Sequence, residues 1–240
     1  MRRTAVVTGA AVRVGRAVSL ELARHGFDVA LHYRSSQADA ESAAAACRAL
    51  GVEAWTVRAD LAEPSDIDGL VSAVRSRWER LDVLVNNASL FQPLAFEKID
   101  LESWDRVQAV NVRAPFLLSQ GLLKPLTEAR GLVVHLCDIG ADRPVRGYAH
   151  YSVSKAALVM LVKAMAVELA PVRTLGISPG QVAWPPDYSE EKRAKLAARI
   201  PLGRVGEPED VARLVRFAAL DGGYLNGEVI AVDGGLSARY

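Results

Sequence analysis

The sequence predicts a single α/β domain in which helices cover both faces of a doubly wound parallel sheet. Short apolar segments alternate with longer segments of helical periodicity, which is the pattern of right-handed β–α–β crossovers. The apolar segments lack polar alternation, as expected for strands covered on both faces. A length of 240 residues suits one such domain, and no repeat, low-complexity tract or linker divides it. We therefore assign residues 1–240 to one domain.

The predicted elements follow one another as strand and helix. The predicted strands of the N-terminal part are Thr4–Thr8, Asp28–Tyr33, Glu53–Ala59, Val83–Val85 and Gly131–Leu136. The helical segments beside them are Gly15–His25, Asp39–Leu50, Pro64–Glu79 and Ser103–Ala129. Gly26 and Gly51 directly follow two of these helices, where glycine most easily ends a helix. The remaining elements are a helix at Ser152–Leu169, a strand at Leu175–Ser178, a helix at Pro208–Leu220 and a strand at Val229–Val232.

Composition excludes several classes of protein. The formal net charge is +1, and a near-neutral balance argues against a nucleic-acid-binding protein. Two cysteines, Cys47 and Cys137, are too few for a disulfide framework and are typical of thiols in a reducing compartment. The N-terminal segment does not have the pattern of a signal peptide, and no apolar stretch is long enough to span a bilayer. These features predict a soluble, cytoplasmic protein that binds neither nucleic acid nor membrane.

The first strand leads into a turn that contains two glycines. Gly9 allows the chain to turn tightly, and Gly15 allows the next helix to pack close to the strand. The N-terminus of that helix presents free N–H groups and a partial positive charge, which favour a pyrophosphate. A glycine-rich turn alone is a weak signal, but a strand before it and a helix after it are the expected context. The turn therefore predicts a Rossmann fold that binds a dinucleotide.

The end of the second strand indicates which dinucleotide. No acidic residue stands there, although a carboxylate at this point would hold the ribose hydroxyls of NAD. The chain instead has His32, Tyr33, Arg34, Ser35 and Ser36, whose arginine and hydroxyls can bind a 2′-phosphate that a carboxylate would repel. Taken alone, these residues also fit a solvated turn before the next helix. Together with the glycine-containing turn they predict NADPH.

Two further segments contain candidate binding and catalytic residues. Asn86-Asn87-Ala88-Ser89 directly follows an apolar strand, at the sheet edge where ligands bind. Tyr151 and Lys155 are four residues apart and therefore share one face of the long helix. A tyrosine with a pKa near 10 is a poor acid or base at neutral pH, and a nearby ammonium group favours its phenolate. The pair can therefore act in acid–base catalysis, although the same spacing alone is usually structural.

These segments together resemble the short-chain dehydrogenase/reductase family, and the resemblance covers essentially the whole chain. The pieces match in order and in spacing. They are the Thr8-Gly9 turn, Asp60-Leu61, Asn86-Asn87-Ala88-Ser89, Asn111, Tyr151-Ser152-Val153-Ser154-Lys155, Ser178-Pro179-Gly180 and residues 226–235. The resemblance implies a nicotinamide-dependent oxidoreductase. Leu175 departs from the family, which has an asparagine there, and the segment before Ser178 is one or two residues shorter.

Two other departures indicate a branch of the family. Arg13 stands in the first turn where the common family has glycine. Asp138 stands thirteen residues before the tyrosine, where the common family has a serine that binds the substrate carbonyl. Both departures resemble the pteridine reductases, including the dihydromonapterin and dihydrofolate reductases of the short-chain type. The aromatic Phe91 after Asn87-Ala88-Ser89 and the stretch Ala183-Trp184-Pro185 are similar as well.

The resemblance implies a role for each site residue. Hydride from NADPH would reach the pyrazine ring of a dihydropteridine such as dihydrobiopterin, dihydromonapterin or dihydrofolate, while Tyr151 and Asp138 handle the proton. Lys155 would bind the nicotinamide ribose and lower the pKa of Tyr151, and Asn111 would hold a water or backbone contact that orients Lys155. The implied cofactor-binding residues are Gly9, Arg13, Val14, His32, Tyr33, Arg34, Ser35, Asp60, Leu61, Asn87, Ala88, Ser89, Tyr151, Lys155, Pro179 and Gly180. The implied substrate-binding residues are Arg13, Ser89, Phe91, Asp138, Tyr151 and Trp184. No metal site is expected.

Other interpretations stay open at this point. A generic carbonyl or 3-oxoacyl-thioester reductase is the alternative activity, and a non-catalytic NADP(H)-binding protein is a third. Asp138 also fits a role in binding backbone N–H groups in a turn, and Phe91 also fits the core. Trp184 is equally suited to filling a loop.

Two expectations concern the surface and the assembly. His25, His135 and His150 lack metal-like spacing and are expected at the surface or at helix caps. Residues 181–205 are expected to form a substrate loop, in which Glu190–Lys195 is a short solvated helix. The long helices at Ser103–Ala129 and Ser152–Leu169 have apolar stripes on more than one side, and the resemblance implies that they pair between subunits of a homotetramer, or of a dimer.

Overall fold

The apolar segments of the sequence form one parallel sheet in the structure, a computed structural model that describes residues 2–182 and 188–238. Within those residues the sheet has seven strands in the order β3-β2-β1-β4-β5-β6-β7, and every neighbouring pair is parallel. The strands are β1 (Arg3–Val7), β2 (Phe27–Tyr33), β3 (Ala54–Arg58), β4 (Val83–Asn86), β5 (Leu132–Leu136), β6 (Arg173–Pro179) and β7 (Val229–Val232). The predicted fold class, a doubly wound parallel sheet in a single domain, is confirmed.

Helices cover both faces of this sheet. They are α1 (Arg13–Arg24), α2 (Gln37–Arg48), α3 (Pro64–Arg75), α4 (Leu101–Gln108), α5 (Ala114–Gly121), α6 (Leu123–Ala129), α7 (Ala149–Glu168), α8 (Glu190–Ala197) and α9 (Pro208–Leu220). One apolar core joins α1, α2 and α9 to one face of the strands, and a second joins α3, α5 and α6 to the other. Burial of the two faces explains why β2 and β5 have no polar alternation, since every residue of both strands is buried.

The strand order reverses between β1 and β4. The strand β1 pairs with β2 on one side and with β4 on the other, so the chain winds outward from this point in both directions. Loops that leave the carboxyl ends of β1 and β4 therefore diverge to opposite faces, and a crevice opens between them. Thr8 and Asn87, which follow these two strands, meet there: the Asn87 side-chain amide donates to the Thr8 carbonyl at 2.8 Å.

The predicted helix Ser103–Ala129 is not continuous. The structure divides it into α4, a single π-helical turn at Ala109–Arg113, α5 and α6. Asn111 lies inside the π turn, with its side chain bonded to the loop after β4, so the helix register shifts to reach that loop. Other boundaries differ by a few residues: α3 ends at Arg75, and α7 begins at Ala149.

Two of the three histidines that were expected at the surface or at helix caps are in fact buried. His135 lies on β5 and is 0% exposed, and His150 in the first turn of α7 is 1% exposed. His25, which follows α1, is exposed as predicted. The expectation of exposure for the other two was wrong because α7 packs over the end of β5, a contact between distant parts of the chain. Cys47 and Cys137 are buried free thiols.

Among the described helices, none has the length and apolar character that a membrane crossing requires.

Candidate active site

A cleft of about 530 Å³ opens at the carboxyl ends of the strands, over the point where the strand order reverses. The structure brings nearly all of the predicted site residues to this one cleft. Those that line it are Gly9, Arg13, Val14, His32, Tyr33, Arg34, Ser35, Asp60, Leu61, Asn87, Ala88, Ser89, Phe91, Asp138, Tyr151, Lys155, Pro179 and Gly180. Of the remaining predicted residues, Asn111 lies behind the cleft wall, and Trp184 lies outside the described residues.

The glycine-containing turn forms one end of the cleft. Gly9 has φ +62°, in the left-handed region, and a Cβ added at Gly15 would collide with the Gly9 carbonyl oxygen. The Gly9 N–H donates to Nδ1 of His32 at 3.1 Å, and the Asn87 side chain donates to the Gly9 carbonyl at 3.1 Å. These contacts hold the turn open beside the N-terminus of α1, and the space left by the missing side chains fits a pyrophosphate.

Arg13 occupies an unusual backbone conformation. Its φ is +51°, a left-handed value that glycine adopts freely and a branched or long side chain adopts at a cost of about 1 kcal/mol or more. This conformation explains why the common family has glycine at the position of Arg13. Here an exposed guanidinium stands at the cleft in its place.

His32 supports the turn from below. It is 2% exposed, and its Nε2 contacts the Ala59 carbonyl at 3.0 Å while Nδ1 accepts from Gly9. Burial lowers the pKa of His32, so the ring is neutral and can accept that hydrogen bond. The sequence assigned His32 to cofactor binding, whereas its polar atoms bond the protein backbone.

Two arginines, Arg34 and Arg58, lie at the end of β2. Arg34 follows the strand and lines the cleft, and Arg58 at the end of β3 donates from Nε to the Arg34 carbonyl at 3.3 Å. Asp60, two residues after Arg58, also lines the cleft. Its carboxylate forms an ion pair with Arg106 at 2.9 Å. Sequence reasoning missed Arg58, which β-sheet pairing places opposite Tyr33.

Tyr151 and Asp138 form a hydrogen-bonded pair in the centre of the cleft. The Tyr151 hydroxyl donates to Oδ2 of Asp138 at 2.7 Å. The other carboxylate oxygen, Oδ1, accepts from the Gly140 N–H at 2.6 Å and caps the short 3₁₀ turn Ile139–Ala141. Asp138 therefore bonds backbone in a turn through one oxygen, and its other oxygen contacts the tyrosine.

The surroundings of Tyr151 keep its hydroxyl protonated. Burial raises the pKa of Tyr151, and the negative charge and hydrogen bond of Asp138 raise it further. The residue is only 6% exposed. The Tyr151 phenol is therefore protonated across the neutral pH range in this arrangement.

Lys155 lines the cleft one helical turn after Tyr151. Its ammonium donates to the Leu136 carbonyl at 2.7 Å and lies 5.6 Å from the centre of the Tyr151 ring. Burial lowers the pKa of Lys155, which is 3% exposed. The pKa of Tyr151 is raised rather than lowered, because burial and the adjacent Asp138 carboxylate both favour the neutral phenol.

Asn111 bonds the loop after β4 and Ser154 on α7. Its Oδ1 accepts from the Leu90 N–H at 2.8 Å, and its Nδ2 donates to the Leu90 carbonyl at 3.1 Å and to Ser154 Oγ at 2.9 Å. Ser154 in turn donates to the Tyr151 carbonyl at 2.6 Å. Asn111 thus ties the loop after β4 to α7, and we describe it as a positioning residue rather than a catalytic one.

Three aromatic rings, those of Phe91, Tyr148 and Tyr151, contact one another beside the Tyr151–Asp138 hydrogen bond. Phe91 is 51% exposed, so it is not a core residue. Its ring stacks on Tyr148 with centroids 4.4 Å apart and planes 13° apart, and it meets the Tyr151 ring edge-on at 4.8 Å. Sequence reasoning gave Tyr148 no role in the site, and the structure places it directly before α7, against Phe91.

The C-terminal side of the cleft is formed by residues after β6. Gly180 lines it, and a Cβ added there would lie 2.6 Å from the Asp233 Cβ, so the two loops approach closely. Of the predicted substrate loop 181–205, the structure describes 181–182 and 188–205, which include α8. Tyr188 lines the cleft just before this helix.

Comparisons with known proteins give one matching family model and several similar proteins. A protein-family model described as enoyl-(acyl carrier protein) reductase matches residues 9–237. The chain is 36% identical over 242 residues to an uncharacterized oxidoreductase of Methylorubrum extorquens, with 98% of this chain and 97% of the relative covered. It is 33% identical over 240 residues to a 3-oxoacyl-[acyl-carrier-protein] reductase of Synechocystis, covering 98% and 96% of the two chains.

A solved structure of a short-chain dehydrogenase/reductase from Serratia marcescens superimposes with a TM-score of 0.90. The sequences are 34% identical, and the match covers 98% of each chain. None of these three relatives is described as a pteridine reductase.

Proposed function

Because the chain belongs to the short-chain dehydrogenase/reductase family, we propose that it is an NADPH-dependent reductase of a dihydropteridine. The family makes it an oxidoreductase. The cofactor and the substrate class are inferred from residues of this chain. The single observation that carries the substrate is the hydrogen bond from Tyr151 to Asp138.

A carboxylate in this position suits a nitrogen heterocycle better than a ketone. A carbonyl oxygen that gains negative charge needs hydrogen-bond donors, and an ionised Asp138 offers only acceptors. An amino-pyrimidine edge presents N–H groups, which a carboxylate binds well. Each carboxylate oxygen has two lone pairs, and the bonds to Gly140 and Tyr151 use one on each oxygen. Acceptor capacity therefore remains for the substrate.

The proton is supplied by the protein. Tyr151 holds its proton because burial and Asp138 favour the neutral phenol, so its Oη can donate to a ring nitrogen that gains electron density. Phe91 offers an exposed ring beside this hydroxyl, on which a flat heterocycle can stack. Arg13, at the same cleft, adds hydrogen-bond donors for the heterocycle and the cofactor phosphates.

The residues present fit a nicotinamide dinucleotide. The space at Gly9 and Gly15, where a side chain would collide, fits the pyrophosphate beside α1. Arg34 and Ser35 lie where a 2′-phosphate would bind, and no carboxylate closes β2. The buried ammonium of Lys155 is suited to the nicotinamide ribose. When bound, the reduced nicotinamide supplies the hydride.

A specific observation supports a second activity. The relative from Synechocystis is named a 3-oxoacyl-[acyl-carrier-protein] reductase, and its name favours reduction of a carbonyl more than of a pteridine. In that alternative, Tyr151 donates its proton to the carbonyl oxygen, and Asp138 has no direct role. A non-catalytic NADP(H)-binding protein is a minor alternative, which the intact Tyr151 and Lys155 oppose.

One assay separates these functions. Oxidation of NADPH is followed by its absorbance with dihydrobiopterin, dihydromonapterin, dihydrofolate and acetoacetyl-CoA in parallel. Turnover confined to the pteridines supports the proposal. Turnover on the thioester alone overturns it in favour of carbonyl reduction, and no turnover on any of the four supports the non-catalytic alternative.

A further inference from the structure

Asp60 is a charged residue in the cleft whose carboxylate is engaged by the protein. Its Oδ2 accepts from the Arg106 guanidinium at 2.9 Å, and its Oδ1 accepts from the Ala62 N–H at 3.0 Å. Burial raises the pKa of Asp60, but the Ala62 and Arg106 hydrogen bonds outweigh it and hold the pKa below its usual range. The carboxylate is therefore ionised, and Arg106 on α4 compensates its charge.

Arg34 is the cation that shares this end of the cleft with Asp60. Both residues line the cleft, and Arg34 lies near enough to add to the electrostatic stabilisation of the Asp60 carboxylate. Its backbone carbonyl accepts from Arg58. Within residues 2–182 and 188–238, however, the Arg34 guanidinium makes neither a hydrogen bond nor an ion pair. The two opposite charges are thus close without being paired.

We propose that Arg106 is a positioning residue for cofactor specificity, because it holds the Asp60 carboxylate and leaves Arg34 available for the 2′-phosphate of NADPH. The inference rests on the NADPH preference in the proposed function. Without Arg106, Asp60 would carry an uncompensated charge that repels a phosphate and attracts Arg34. NADH has no 2′-phosphate and no use for the Arg34 guanidinium there, so both effects weaken its binding less than that of NADPH.

Arg113 provides a matched control for the same segment. Its guanidinium donates to the Ala62 carbonyl at 2.6 Å, so it also holds the segment after β3, but its acceptor is uncharged. Arg113→Ala loosens that segment without exposing a carboxylate. A purely structural role for Arg106 predicts that both arginine variants behave alike.

The experiment measures dissociation constants of NADPH and NADH by fluorescence titration at low salt. The proteins are the wild type, Arg106→Ala, Arg106→Lys, Arg113→Ala and the double variant Arg106→Ala/Asp60→Asn. We expect Arg106→Ala to reduce the NADPH-to-NADH preference about fivefold, the size of effect typical of one ion pair. Arg106→Lys retains part of the preference, and Arg113→Ala weakens both cofactors equally. The double variant recovers the preference, since the asparagine side chain carries no charge.

The outcomes distinguish the inference from the function on which it rests. An equal loss for both cofactors in Arg106→Ala, or no recovery in the double variant, overturns the role of Arg106 while the wild-type preference for NADPH stands. A wild type that binds the two cofactors equally overturns the cofactor proposal and this inference together. Circular dichroism melting of each variant identifies any that fail to fold. If Arg106→Ala does not fold, Arg106→Lys is compared with the wild type in its place.

Discussion

The Tyr151 hydroxyl donates a 2.7 Å hydrogen bond to Oδ2 of Asp138, which places a carboxylate directly against the group that supplies the substrate proton in the proposed function. The same carboxylate is anchored by the Gly140 N–H, so its orientation does not depend on the tyrosine. Burial and Asp138 together favour the protonated phenol. This arrangement is the one that the proposed function requires, with a proton delivered from tyrosine and a hydrogen-bond donor bound at aspartate.

Removal of the Tyr151 hydroxyl is expected to abolish turnover. Tyr151→Phe keeps the ring against Phe91 but deletes the proton donor, and we expect kcat to fall about a hundredfold or more. NADPH binding, measured by fluorescence titration, stays nearly unchanged. Tyr224→Phe, at a fully exposed tyrosine, is the control. Full turnover in Tyr151→Phe contradicts the proposed role, and joint loss of turnover and binding indicates a damaged fold.

Substitution of Asp138 separates the two candidate substrates. Asp138→Asn retains a side-chain oxygen for the Gly140 N–H but loses the charge, and we expect kcat/KM for a dihydropteridine to fall about tenfold or more. The same variant is expected to have little effect on acetoacetyl-CoA reduction. Asp142→Asn, an exposed carboxylate after the same 3₁₀ turn, is the matched control. Unchanged pteridine turnover in Asp138→Asn counts against the pteridine proposal.

Arg34 is expected to determine the preference for NADPH. Arg34→Ala removes the guanidinium at the end of β2, and we expect the Kd of NADPH to rise about tenfold, while that of NADH changes less than about threefold. Arg24→Ala, at the far end of α1, controls for the change in net charge. If wild-type protein binds NADPH and NADH within about a factor of three, Arg34 does not recognise a 2′-phosphate.

His135 makes the fold sensitive to acid. Burial, followed by the charge of Lys155, lowers the pKa of His135 from 6.5 to about 3. The unfolded chain therefore binds a proton at His135 below about pH 6.5 that the folded chain binds only near pH 3. Stability is fully present above pH 6.5 and is lost as the pH falls, at about 1.4 kcal/mol per pH unit from this residue.

The measurement is the free energy of urea unfolding between pH 7 and pH 4 in wild type, His135→Gln and the control His25→Gln. The slope with pH is expected to become shallower by about one proton in His135→Gln and to stay unchanged in His25→Gln, whose ring is exposed. Equal slopes in all three proteins contradict this assignment.

An apolar stripe on α7 is expected to be covered in a homotetramer. Val153, Met160 and Val167 are 48%, 62% and 79% exposed and recur every seven residues along one helix. Sedimentation velocity is expected to give about four times the 25.8 kDa of the chain, and Met160→Glu to shift the protein to smaller species. A wild-type monomer contradicts the prediction, and a wild-type dimer reduces it to the smaller assembly.

Much of the cleft followed from sequence because its residues lie in short segments at the ends of strands. Gly9, Arg34, Asn87 and Asp138 each follow a strand of the parallel sheet, and parallel strands end at one edge. Tyr151 and Lys155 share a helix face by their spacing alone. These relationships are local, so the printed order of residues is enough to predict them.

Contacts between distant segments were not predictable in the same way. Arg58 reaches Arg34 only because β3 pairs with β2, and Arg106 reaches Asp60 from a helix 46 residues later. His135 looks like a surface residue until α7 is packed over its strand. Asn111 required a π-helical turn to reach Leu90, and periodicity cannot register such an irregularity.

The sequence by itself determined the α/β class, the single domain, the glycine-containing turn and the residue types of the site. Those features depend on local periodicity and on which atoms each side chain carries. Only the tertiary structure decided that Asp138 faces Tyr151 rather than solvent, that the tyrosine keeps its proton despite Lys155, and that Asp60 is held by Arg106. Charge and proton affinity at these groups depend on burial and on partners from other segments, which exist only once the chain is folded.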